Sequence, residues 1–95
     1  MRVGDKVKIY NRDELYRNYS CMAKVFRMRD WRENEFPDTK IIYVVKGIKN
    51  HLDYKDRVLV HIENEVGNGY IMGVRGLKVL TPFDSFELSE ELFLI

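Results

Sequence analysis

Val7 and Ile9 alternate with Lys6, Lys8 and Tyr10, and this alternation predicts a half-buried strand beginning near Asp5. Asn11 followed by Glu14 has the spacing of a capping box, which predicts one short helical turn running through Leu15, Tyr16 and Tyr19. The apolar segment Met22 to Met28 reads as a second strand, with Ala23 and Val25 on one face and Lys24 and Phe26 on the other. Asp30 to Asp38 keeps no period, contains Pro37 and reads as a polar loop that nevertheless carries Trp31 and Phe36.

Lys40 to Ile48 holds the β-branched run Ile41, Ile42, Val44 and Val45 around Tyr43, apolar on both faces, which predicts a central and well-covered strand. Val58, Val60 and Ile62 alternate with Arg57, Leu59, His61 and Glu63, predicting a strand with one polar face. Gly67-Asn68-Gly69 supplies the residues a tight hairpin needs, and Tyr70 to Val74 returns as its partner. A break at Gly76 precedes a last short strand, Leu77 to Leu80. Five or six short strands with one helical turn predict an all-β domain, a small closed or half-closed antiparallel barrel over residues 1–82. In the tail, residues 83–95, Asp84 and Glu87 fit a capping box and Phe83 with Leu88 the accompanying staple. Leu88, Leu92 and Ile95 would then share one face of a short helix that caps the barrel or meets a partner.

Ninety-five residues supply one hydrophobic core and not two. Cys21 is the only cysteine, so no internal disulfide forms, and no apolar leader or membrane-length stretch is present; a cytoplasmic protein is expected. Net charge is only +1, but residues 1–60 carry 14 Lys+Arg against 9 Asp+Glu while residues 61–95 carry 2 against 6. That near-neutral balance argues against binding driven by phosphate neutralisation alone.

Val3-Gly4-Asp5-Lys6-Val7-Lys8-Ile9 resembles the opening strand of Src-homology-3-like barrels of the KOW kind, and Gly69 to Leu80 is similar to the last turn and strand of such barrels. Small phage-encoded accessory proteins look like this too, with an acidic-Leu turn matched here by Asp13-Glu14-Leu15. The resemblance implies a fold more than a function, because this barrel hosts unrelated binding activities. A KOW element would place a Gly-rich basic loop after the first strand, where this chain has Asn11-Arg12-Asp13-Glu14.

His51-x-Asp53 and His61-x-Glu63 place a nitrogen and a carboxylate at strand spacing and could together offer metal ligands. The competing reading sets His51 in a solvated loop and His61 on the polar face of its strand, and it is preferred because a metal needs convergent ligands with supporting partners. Cys21 beside Met22 and Ala23 reads as a small buried hydrophobe rather than a nucleophile. Neither Gly67-x-Gly69 nor Gly73-x-x-Gly76 opens a helix after a strand, so no phosphate loop is present. No catalytic activity, metal or cofactor is expected.

The most functional-looking stretch interleaves rings with cations: Tyr16, Arg17, Tyr19, Lys24, Arg27, Arg29, Trp31 and Arg32, followed by Phe36. Such side chains stack on nucleic-acid bases or anchor in a protein pocket, and Asp30, Glu33 and Glu35 would repel a phosphate backbone. The expectation is a protein-binding face built from Tyr16, Tyr19, Arg27, Arg29, Trp31, Arg32 and Phe36, with Trp31 and Arg32 at its centre. Nucleic-acid binding by the same barrel is the alternative, and a small metal-dependent hydrolase a distant third.

Overall fold

The computed structural model describes residues 1–16, 19–28 and 36–80, with backbone only for 19–21. Five strands, β1 (Lys6–Ile9), β2 (Tyr43–Asn50), β3 (Val58–Glu63), β4 (Gly69–Gly73) and β5 (Leu77–Val79), form one antiparallel sheet in the order β4-β3-β2-β1-β5. Two one-turn 3-10 helices, Arg12–Glu14 and Val74–Gly76, and a short helix α1 (Tyr19–Val25) complete the described elements. The fold is mostly β, as expected, and β2 is the central strand.

The sheet is not closed into a barrel. Its edges are β4 and β5, and no ladder joins them. The outer edge of β4 is met instead by the chain leaving the first 3-10 turn: Leu15 forms an isolated bridge with Met72, and the Tyr16 N–H donates to the Ile71 carbonyl at 2.8 Å. A single bridge satisfies edge groups that would otherwise stay unpaired, without adding a strand.

A second correction concerns Met22 to Met28, expected as a strand and found in and just after α1. Both periods are written in these residues, but Met22 and Phe26 lie four apart and share a helical face. Met22 and Ala23 are buried, and the Phe26 ring packs edge-on against His61 with centroids 5.8 Å apart. Helix α1 stops in a Schellman arrangement, with Met28 N–H donating to Ala23 O at 3.0 Å and Arg27 N–H to Lys24 O at 3.1 Å. Arg27 stands at the left-handed position, with φ of 53°.

The polar face expected for β3 is also absent: Leu59, Val60, His61 and Ile62 are all buried. Val60 and Ile62 point to one side with Val45, Tyr70 and Met72 across the ladder, while Leu59, His61 and Ile71 point to the other. Phe26 covers that other side at His61. It comes so close to β2 that a Cβ on Gly47 would stand 2.9 Å from its ring, beside the bulge between Val45 and Gly47.

The first face carries the larger core, with Val7, Tyr43, Val45, Val60, Ile62 and Met72 essentially inaccessible. Tyr43 and Tyr70 meet edge-to-face at 6.0 Å, and the Tyr43 hydroxyl donates to the Asp38 carbonyl at 2.7 Å. The β3–β4 hairpin turns as expected, with φ of 87° at Gly67. Ile41 and Ile42, expected inside β2, precede it and are partly exposed, so the strand begins three residues later than Lys40. Among the described residues no helix is long and apolar enough to cross a membrane. The 83–95 tail lies outside the described residues.

Candidate functional site

The two 3-10 turns are docked on each other. Tyr10 and Asn11 both donate backbone N–H groups to the Gly76 carbonyl, at 2.8 and 3.1 Å, and the Asn11 side chain accepts from Asp13 N–H at 3.0 Å. Asn11 therefore caps the first turn, as its sequence position predicts. Glu14 does not complete the capping box, because the Asn11 N–H is already taken by Gly76. Its side chain lies instead over Gly73 and Gly76: a Cβ at Gly73 would collide with the Glu14 carboxylate, and one at Gly76 would stand 2.5 Å from Glu14 Cβ and 2.7 Å from the Asn11 carbonyl. Only glycine admits so close an approach.

Opposite these turns stands the connection between β2 and β3. His51 N–H donates to Arg57 O at 2.8 Å and Arg57 N–H to Tyr54 O at 3.0 Å, closing a compact loop, and Asn50 Nδ2 reaches the Lys55 carbonyl. His51 is buried within this loop, contrary to the solvated position expected for it. Its Nδ1 accepts from the N–H groups of Asp53 at 3.0 Å and Tyr54 at 3.3 Å, and its Nε2 lies 2.8 Å from the Tyr16 hydroxyl. An Nδ1 that accepts two N–H bonds carries no proton, so this hydrogen-bond pattern assigns the neutral ring's proton to Nε2, which donates to Tyr16. The Tyr54 and Tyr16 rings flank the imidazole at 5.1 and 5.3 Å, and the Arg57 guanidinium lies 5.6 Å from the Tyr16 ring centre.

Between the two walls runs an open groove of about 570 Å³ lined by Glu14, Tyr54, Asp56, Arg57, Val58, Gly73, Val74 and Arg75. The Tyr54 ring is 62% exposed there, although its backbone is tied to His51. Arg57 and Arg75 present two exposed cations against one exposed acid, Asp56, while Glu14 is half-buried on the glycines.

Of the residues expected to form a binding face, Tyr16 reaches this site, half-buried and held by His51 and Arg57. Phe36 is exposed, with the Arg12 guanidinium 5.6 Å from its ring centre, which attaches it to the first 3-10 turn. Arg27 is exposed at the end of α1, and Tyr19 lies in that helix. Arg29, Trp31 and Arg32 lie outside the described residues. Tyr54, Arg57 and Arg75 were not singled out from the sequence as a site: Tyr54 stands in a polar stretch without periodicity, Arg57 reads only as a polar position of the β3 alternation, and Arg75 lies in the break before Gly76.

The two His-x-acid pairs do not converge. Both ring nitrogens of His51 are engaged by protein groups, while His61 faces Phe26 beside Gly47. His61 Nε2 stands 3.3 Å from a Glu63 carboxylate oxygen, off the line of a hydrogen bond, and has no other polar partner. Burial is the main cause holding its pKa below the ordinary histidine value; Lys46 adds to the effect and Glu63 opposes it. Among the described residues no three His, Cys, Asp or Glu side chains gather around a common point. Comparison with protein-family models, with curated proteins and with solved structures found no match.

Proposed function

We propose that this chain is a small, non-enzymatic binding module of the Src-homology-3-like kind that takes a short extended segment of a partner protein into the groove between its 3-10 turns and the β2–β3 loop. The observation that carries this reading is Tyr54. It is a large ring left 62% exposed in a concave site whose surrounding backbone is pinned by His51, so a ligand meets a surface already in place. The fold resemblance draws support from the pairing of its two halves: β1 and β5 lie side by side, with Val7 opposite Val79 and Ile9 opposite Leu77.

Charge selects the ligand. With Arg57 and Arg75 flanking Tyr54 and Val74, the groove fits a peptide that lays an apolar side chain on the tyrosine and a neighbouring carboxylate on the guanidinium groups. The Arg12–Phe36 pair extends the same aromatic and basic character along the first turn.

The test is a displayed library of random peptides selected against the whole chain, with binding sites mapped by amide chemical shifts. Enriched peptides should pair an acidic with an apolar residue, shift Tyr54, Arg57 and Val74, and lose about tenfold or more in affinity with Tyr54→Ala, as an anchor worth above ~1.4 kcal/mol requires. Peptides that bind the Tyr54→Ala, Arg57→Ala double variant undiminished would overturn the proposal. A salt titration separates the alternative, since the logarithm of nucleic-acid affinity falls linearly with the logarithm of salt concentration.

A further inference from the structure

On the sheet face opposite Val7 and Ile9, β1 presents Lys6 and Lys8, and the ladder sets Lys78 of β5 directly opposite Lys8. Like charges directly opposed across a ladder destabilise the pair. No ion pair reaches any of the three among the described residues. The acid next along this face is Glu63, which lies across Val44 from Lys6, two strand spacings away at about 10 Å, and beside His61. A second groove, about 420 Å³, runs past Lys6 and is lined by Lys46, Ile42 and Val44 together with the acids Glu63 and Glu65, so the uncompensated positive charge of this face is the Lys8 and Lys78 pair with Lys6 beside it.

The chain leaves the sheet at this place. Leu80 N–H donates to the Lys6 carbonyl at 2.8 Å, so the last described residue is held beside the lysines. Residues 81–95 hold four acids, Asp84, Glu87, Glu90 and Glu91, with no Lys, Arg or His, and seven large apolar residues. We infer that this acidic segment is the ligand of the Lys6, Lys8 and Lys78 face: its carboxylates neutralise the opposed lysines and its apolar residues meet Ile42 and Val44. The charge asymmetry of the chain, basic before residue 61 and acidic after it, is then an internal complementarity.

The experiment uses the full chain. Carbodiimide coupling joins a lysine amine to a carboxylate only in direct contact. Mass spectrometry of the monomer band should therefore find Lys6, Lys8 or Lys78 linked to Asp84, Glu87, Glu90 or Glu91. Competitive acetylation should label these lysines several-fold more slowly in the wild-type chain than in the Asp84→Asn, Glu87→Gln, Glu90→Gln, Glu91→Gln variant, and 1 M salt should erase the difference by screening. Equal labelling of the two chains, or an absence of such links in the monomer, would overturn the inference. Links confined to a dimer band would do the same, assigning the face to a second copy.

Discussion

The Tyr16 hydroxyl and the His51 imidazole meet at 2.8 Å across 35 positions of sequence, tying the segment after the first 3-10 turn to the loop between β2 and β3. This contact holds the two sides of the groove together, and it fixes the imidazole through one nitrogen while the other organises the Asp53 and Tyr54 backbone.

Tyr16→Phe removes the partner of a buried N–H, and such an unsatisfied group costs about 1–3 kcal/mol. The urea midpoint should fall accordingly with an unchanged m-value. Chemical shifts at Asp53 and Tyr54 should move as the ring loses its anchor. A midpoint equal to wild type would mean that the hydroxyl and ring do not bond in solution.

Acid should destabilise the protein through His61. Burial depresses its folded-state pKa, while the unfolded chain takes up the proton near pH 6.5. Below that pH the unfolded state binds more protons, so the stability from holding the ring neutral is present above about 6.5 and is lost as pH falls through the folded value. His61→Phe, which keeps an aromatic partner for Phe26, should flatten the fall in thermal midpoint between neutral and mildly acidic pH. A variant with the wild-type slope would assign the acid sensitivity elsewhere.

At the alkaline end Tyr43 acts with the opposite sign. Burial first, then Tyr70 and Asp38, push its phenol up to about 12 from 10.0. The unfolded phenol ionises first on raising the pH, so the stabilisation is whole below about pH 10 and lost as pH rises through about 12. Urea midpoints measured from pH 9 upward should drop more steeply for the wild type than for Tyr43→Phe.

Arg27→Gly tests the end of α1. A left-handed L-residue costs roughly 1–2 kcal/mol relative to glycine, and Arg27 has φ of 53°. The substitution should raise the thermal midpoint by a few degrees, and if Arg27 lies apart from the groove it should leave peptide affinity unchanged. A lowered midpoint would show that the arginine side chain contributes more than its backbone conformation costs.

Local pattern was enough to read β1, the Gly67 turn, β4 and the break before β5, because each depends on alternation or on a backbone shape that few residues adopt. The same logic placed Asn11 as a cap. It failed for Met22 to Phe26, where apolar residues satisfy a strand period and a helix period together. Packing decided between them: the helix buries Met22 and sets Phe26 over a β3 face carrying His61 that alternation alone assigns to solvent.

The groove was legible only in part. By sequence Tyr54 and Arg75 are ordinary loop and turn residues and Arg57 a polar position at the start of a strand, and they become a site because the His51 ring organises one loop while Gly73 and Gly76 let Glu14 settle onto the other wall. The chain by itself determined a small mostly β domain with one cysteine and an uneven charge distribution, since these follow from composition and short-range period. Tertiary structure decided the open sheet, the burial of both histidines and the composition of the groove. Each of these depends on which distant segment covers a given face, and the covering segment is chosen by shape and by satisfying buried polar groups, neither of which short-range pattern encodes.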